Sequence, residues 1–306
     1  MEIGLHLPTS QPGADAGSIA SVAAAAERLG FDSVWMFDHL LTPAELASSY
    51  PYAKGGAYPL TARDPFFDPV AMLGVLAGST RRVRLGTNVL VAAYRHPIVL
   101  GKALATIEQF APGRLVIGLG AGWMAEEFAA LGVPFEQRGA RLEEHVAALR
   151  AVWSGAATGF EGERYRWQPA GFLPAPTRPI PLVLGGHGDA AVDRAARLGD
   201  GWALATGRGQ GSGLTAMASR LEHLRGRLRA HGREGQPFEI VCQHALVFSS
   251  DPVASLPFSG PPEAIAASLR ALAGRGVTQV DLAVFGEASE IVERAHEFAE
   301  RVRPLL

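Results

Sequence analysis

Three short stretches of the 306-residue chain combine residue types that can do chemistry. The first is Asp38-His39, a carboxylate next to an imidazole just after the apolar run Ser33–Phe37. An imidazole exchanges a proton near neutral pH, so a His at a strand end suits general acid/base work. The same pair also suits a plain structural task, with Asp38 capping the next segment and His39 serving as a hydrogen-bonding side chain. The second stretch is Gly118-Leu119-Gly120-Ala121-Gly122, between a strand and the helical Met124–Leu131. Gly120-x-Gly122-x-x-Ala125 formally matches a dinucleotide fingerprint, but the acidic residues about twenty positions on, Glu143 and Glu144, fall inside a helix rather than at a strand end. These glycines serve either a tight turn or the close approach of a flat or anionic ligand. The third stretch, Gly185-Gly186-His187-Gly188-Asp189, opens a helix. Unpaired N–H groups and the positive end of the helix dipole can hold a phosphate there, unless the turn is only a turn with Asp189 as N-cap.

Other chemistries find no support. Nine His residues show no HExxH spacing, and one cysteine, Cys242, cannot build a thiolate metal site, so no metal is expected. Cys242 lies in an apolar strand and reads as a small core residue. No GxSxG elbow occurs. With 28 Lys+Arg against 30 Asp+Glu, a net charge of −2 argues against a nucleic-acid or anionic-membrane binder. The N-terminus lacks the basic start of a signal peptide, and no window gives the roughly 18 apolar residues of a membrane span, so a cytoplasmic protein is expected.

These residues need elements to position them. Short apolar runs alternate with Ala/Arg/Glu-rich stretches of helical period, the signature of βα units. Strands are predicted at Ile3–Leu7, Ser33–Phe37, Val83–Leu90, Leu115–Leu119, Leu182–Leu184, Gly201–Ala205, Phe238–Phe248 and Gln279–Phe285. Helices are predicted between them and at the end, about Ser18–Leu29, Pro69–Gly78, Pro97–Phe110, Arg138–Trp153, Ala190–Leu198, Leu214–His231, Pro262–Gly274 and Ala288–Val302. Eight strands, each followed by a helix, make an α/β fold of the (β/α)8 TIM-barrel type over residues 1–306 as one domain. Two stretches exceed ordinary connections, Leu40–Asp64 after strand two and Gly155–Pro181 before strand five, and are candidate lids or pocket walls. A barrel puts its site at the carboxyl ends of the strands, where all three stretches fall.

Taken together, Arg28–His39 (RLGFDSVWMFDH), Leu85–Pro97 (LGTNVLVAAYRHP), Gly113–Phe128 (GRLVIGLGAGWMAEEF), Gly132–Arg138 (GVPFEQR) and Pro181–Trp202 resemble, in order, the bacterial luciferase-like monooxygenase superfamily. The resemblance covers strands one to six and weakens after Gly207. It implies a (β/α)8 barrel binding a flavin or deazaflavin at the carboxyl face. The Asp-His pair resembles the branch that uses coenzyme F420, which implies that His39 assists proton transfer and that Asp38 contacts the cofactor. It further implies a non-prolyl cis peptide at Asn88-Val89 behind the cofactor ring, Gly120, Ala121 and Gly122 along the cofactor, and Gly185, Gly186, His187 and Gly188 at its phosphate. A homodimer through the outer helices around Pro69–Gly78 and Pro97–Phe110 is also implied.

Departures bear on substrate. The sugar-phosphate dehydrogenase of this branch has a Glu where Trp123 stands and a Trp where Thr42-Pro43 stand, while Arg208 falls at its phosphate-binding Lys. These differences argue against a sugar phosphate. Trp123 and Arg208 are candidate substrate contacts, and Trp123, Tyr50, Tyr52, Tyr58, Phe66 and Phe67 serve either an apolar or aromatic pocket or ordinary core and lid packing. The implied reaction is hydride transfer between F420 and a small organic molecule. The alternatives are an FMN-dependent monooxygenase on the same fold and a non-catalytic flavin-binding barrel.

Overall fold

A computed structural model of the chain describes residues 1–11, 13–53, 55–205 and 213–306. Arg208 lies outside the described residues. Eight parallel strands close on themselves: β1 (Glu2–His6), β2 (Ser33–Met36), β3 (Arg84–Val91), β4 (Leu115–Gly120), β7 (Leu182–Gly185), β8 (Gly201–Ala205), β9 (Glu239–Phe248) and β11 (Gln279–Ala283). Each pairs with the next, and β11 returns to β1 with Gly4 opposite Asp281 and Leu5 opposite Leu282. This is the (β/α)8 barrel that the strand count implies. Three strands escaped the sequence pattern: β5 (Thr158–Glu161) and β6 (Arg166–Ala170), an antiparallel hairpin preceding β7, and β10 (Phe258–Gly260), which pairs in parallel with the last residues of β9.

Strand alternation sorts the side chains into two faces. Ile3, Leu5, Val34, Met36, Leu85, Ile117, Leu119, Leu182 and Leu184 point outward into the layer shared with the helices and are buried there. Trp35, Val116, Val183, Ala203 and Val241 point into the barrel, with half-buried Val89 above them. The lumen is therefore filled. The Trp35 ring takes the space of two missing side chains, since a Cβ on Gly4 or Gly86 would lie 2.4 or 2.3 Å from its atoms. At the amino end, Arg84 bridges Glu2 (2.7 Å) and Glu239 (2.8 Å).

Helices form where an apolar stripe meets a capping signal. In α1 (Ala16–Arg28) Ile19, Val22, Ala23 and Ala26 are buried, Asp15 accepts from Ser18 N (2.7 Å), and Gly30 leaves the helix at φ +78°. Both α2 (Pro69–Ser79) and α3 (Pro97–Phe110) start on a proline, whose missing N–H costs nothing in the first turn. Next come α4 (Ala125–Ala130), α5 (Arg138–Val152), α6 (Asp189–Leu198), α7 (Leu214–Ala230), α8 (Pro262–Ala273) and α9 (Ala288–Glu297), the last followed by a π turn over Phe298–Val302. None of these helices is long and apolar enough to cross a membrane among the described residues.

Candidate active site

His39 sits just past the carboxyl end of β2, and its ring is held from α4. Nδ1 lies 2.5 Å from Glu127 Oε2, and because a carboxylate only accepts, the proton belongs on Nδ1. Glu127 is fully buried, and its other hydrogen bonds come from Leu40 N (2.6 Å), Leu41 N (3.3 Å) and the Tyr94 hydroxyl. Four donors around one carboxylate offset the cost of burying its charge. Burial, with the Glu127 charge beside it, pushes the Tyr94 phenol far above its ordinary range, so it remains a donor. With Nδ1 committed, Nε2 is the nitrogen that His39 can offer a ligand. The ring is walled edge-on by Tyr58 (centroids 5.6 Å), Phe66 (5.2 Å) and Trp123 (5.6 Å).

Asp38 faces the other way. Arg95 grips both of its oxygens (2.7 and 3.0 Å), and Val91 N donates to Oδ2 (2.9 Å). Burial works to raise this carboxyl, against Arg95 and the Val91 N–H. Arg95 also reaches Asp68 (2.5 Å), which caps α2 through Ala71 N (2.8 Å). Asp38 thereby ties the end of β2 to the turn after β3 and to α2. It fixes the segment that carries His39.

The Asn88–Val89 peptide is cis, as the resemblance implies, and the β3–β4 register shifts between Thr87 and Leu90. Val89 therefore enters the lumen beside three glycines. A Cβ on Gly118, Gly120 or Gly185 would come within 3.0, 2.5 or 2.9 Å of Val89 methyls. Gly120 and Gly185 are thus glycines because Val89 occupies their side-chain space, and the bulge becomes a firm apolar floor. Gly122, at φ +88°, turns the chain toward Trp123 and α4. Ala121 lies half-buried between the two glycines.

The stretch after β2 folds over this floor. Tyr50 packs against Tyr52, Tyr58 and Trp123, and Tyr58 also meets Trp123. Burial raises all three phenols above their ordinary range. Trp123 is thereby brought to His39, and Tyr52 reaches His187 (5.2 Å). The stretch is anchored by α4, whose Glu126 Oε1 accepts from Ala47 N (2.7 Å) and Ser48 N (2.9 Å), while Ala125 N donates to Ser48 Oγ (3.0 Å). Gly155–Pro181 is held elsewhere, and its end, Pro176–Pro181, lines a cleft with Arg150, Trp153 and Asp200. Its backbone is captured on the outside by Glu144 (Tyr165 N, 2.8 Å) and Glu108 (Thr177 N, 2.7 Å), and Phe160 stacks on Trp167.

At the end of β7, Gly188 rather than Asp189 is the N-cap of α6, and no side chain caps that helix. A Cβ on Gly188 would meet nothing within 4 Å. The open side of this turn fits an anionic group held by the N–H groups of the first turn. Arg220 of α7 donates to the carbonyl of His187 (2.8 Å), which sets a cation beside the turn. Burial, with Arg220 nearby, pushes His187 down to about 4, so its ring is neutral at pH 7.

Sequence reasoning missed Glu127, Tyr94, Arg95 and Arg220. Only Glu127 had a signal, the acidic pair Glu126-Glu127 opening a short helix after the glycine turn.

A filled (β/α)8 barrel with an imidazole, an inward bulge and a glycine-rich turn at its carboxyl face belongs to the class of barrels whose candidate site lies at that face. The profile described as luciferase-like monooxygenase matches residues 1–256, and the chain belongs to that family. It is 32% identical over 244 residues to an F420-dependent glucose-6-phosphate dehydrogenase of Kineococcus radiotolerans, covering 78% of this chain and 66% of the relative. In fold it is similar to an F420-dependent secondary alcohol dehydrogenase solved with an F420-acetone adduct (TM-score 0.78, 17% identity, 100% and 99% of the two chains). It is equally similar to the monooxygenase RslO1 from Streptomyces bottropensis (TM-score 0.78, 23% identity, 99% of each chain). Relatives that use F420 support an oxidoreductase at the level of the family.

Proposed function

We propose that the chain is an F420-dependent oxidoreductase that exchanges a hydride between the deazaflavin and a small organic substrate. The observation that carries the proposal is His39, oriented by buried Glu127 at the mouth of the barrel above the Asn88–Val89 bulge. F420, when bound, supplies a carbon-centred hydride and lacks the ring nitrogen through which flavins activate oxygen. The residues present fit such a group. Val89 offers an apolar floor for a flat ring, and the open Gly188 side of the α6 N-terminus suits a phosphate. Gly120, Ala121, Gly122, Gly185, Gly186 and His187 border the space between them.

In this reading His39 Nε2 takes the proton of a substrate hydroxyl as hydride leaves, or returns one in the reverse direction. Glu127 keeps Nδ1 protonated and stabilises the imidazolium that forms. Asp38 acts through Arg95, positioning the segment that carries His39. Trp123, Tyr50 and Tyr58 exclude water and favour an apolar substrate over a sugar phosphate. The chain acts as one domain in the cytoplasm on a small molecule, without nucleic-acid or membrane partners, and as a homodimer.

The rival reading is an FMN-dependent monooxygenase, favoured by the family's description and the likeness to RslO1. Titration of the purified chain with F420 and FMN separates the two. The expected result is binding of F420 at least about tenfold tighter than FMN, a difference of roughly 1.4 kcal/mol. Turnover with reduced FMN and oxygen, in the absence of F420, would overturn the proposal. His39→Ala should lower kcat by about 10²–10⁴, the range for losing a general acid or base. Its F420 affinity should stay close to that of the parent chain.

A further inference from the structure

A second imidazole stands in the same barrel mouth. His6 is the last residue of β1 and is 7% exposed. Its Nδ1 lies 3.0 and 3.3 Å from the two oxygens of Asp281, which is completely buried. Asn88 Nδ2 donates to the same carboxylate (3.3 Å). Asp281 lies opposite Gly4, one inward position below His6, so the carboxylate approaches the imidazole from the barrel floor. Phe37, two residues before His39, packs on the ring with centroids 3.9 Å apart.

Two acceptor atoms of this cluster have no hydrogen-bond partner among the described residues, His6 Nε2 and Asn88 Oδ1. A buried polar atom left without a partner is costly, and a His–Asp pair could be replaced by apolar residues at little loss to the fold. The carboxylate accepts from Nδ1–H, which leaves Nε2 with a lone pair across the ring from that contact. Asn88, beyond its bond to Asp281, is the residue that opens the inward bulge.

We infer that His6 is a second ligand-facing group of this site, its Nε2 accepting a hydrogen bond from an N–H or O–H of the molecule bound over the bulge, beside Asn88 Oδ1. The inference rests on the reading of the barrel mouth as a cofactor and substrate site. The donor is either a ring N–H of the cofactor or a hydroxyl of the substrate. Asp281 and Asn88 are positioning residues for His6.

His6→Asn in the full chain tests this. The asparagine amide can keep the bond to Asp281, while nothing replaces Nε2. If the donor belongs to the cofactor, the Kd for F420 rises about tenfold, the loss of one hydrogen bond. If it belongs to the substrate, that Kd holds while kcat/KM falls about tenfold. In both cases His6→Gln, whose amide reaches toward the Nε2 position, recovers part of the loss. Unchanged Kd and kcat/KM in a folded His6→Asn protein would overturn the inference. The ¹⁵N imidazole signals of the wild-type chain test the required tautomer without any ligand: a protonated Nε2 overturns the inference, and a protonated Nδ1 with a bare Nε2 supports its premise. A wild-type chain that binds neither F420 nor FMN removes the proposed function and this inference with it, whereas F420 binding and turnover with unchanged constants in His6→Asn remove the inference alone.

Discussion

At the scale of single residues, Glu127 governs the site more than its place in the sequence suggests. All four of its partners are donors: His39 Nδ1, Tyr94 Oη, Leu40 N and Leu41 N. Glu127→Gln keeps the shape but turns an NH₂ group toward some of those donors. The expected loss is about 1–3 kcal/mol of stability, the range for a mismatched buried polar group, measured by urea unfolding. In the same variant kcat should fall more than KM rises, because His39 loses its orientation and the charge that stabilises its protonated form. His39 itself was legible because it directly follows a strand. Glu127 was not, because it is 88 residues away and a run such as Ala-Glu-Glu-Phe reads as a solvated helix face.

At the scale of elements, α4 works as a clasp on the stretch that covers the mouth. Desolvation tends to raise the Glu126 carboxyl, but hydrogen bonds from Ser48 and Ala47 outweigh it and hold the group down to about 2, against an ordinary 4.5. A depressed carboxyl stabilises its contacts above its ordinary value and loses that contribution as pH falls through the folded one. The clasp should therefore be whole above pH 4.5 and loosen progressively toward pH 2. Hydrogen exchange at the Ala47 and Ser48 amides should quicken across that window. Glu126→Gln should show the faster exchange already at neutral pH, with the barrel amides unaffected. The two long irregular stretches read alike in the sequence, both rich in Pro, Gly and aromatic residues. They part company because Glu126 and Glu127 capture the first at the mouth, whereas Glu108 and Glu144 capture the second on the outer wall.

At the scale of the molecule, the outer faces of α2, α3 and the adjoining loop leave Val75, Val99, Phe110 and Leu173 between 58% and 69% exposed. Apolar side chains gathered on neighbouring elements suit a partner surface. The proposed homodimer places its contact there, and light scattering on the purified chain should give twice the monomer mass of 32.3 kDa. Val99→Glu with Phe110→Glu should convert it to monomer and leave F420 binding close to that of the parent chain. A mass that those changes do not move would exclude this face as the contact.

The eight barrel strands, the helices between them, and the strand ends that carry His39 and the glycine turns are legible along the chain. Those features are local, written in hydrophobic period, in Gly and Pro punctuation and in caps. Tertiary structure alone decided which side of each strand was the interior. In Glu2-Ile3-Gly4-Leu5-His6 the alternation by itself marks only Ile3 and Leu5 as core and says nothing of what His6 meets. A closed barrel buries both faces: Ile3 and Leu5 meet the helices, while Gly4 and His6 face the lumen. There His6 meets Asp281, 275 residues away, through the closure of β11 on β1. Closure joins the first strand to the last, and no period read along the chain contains that contact.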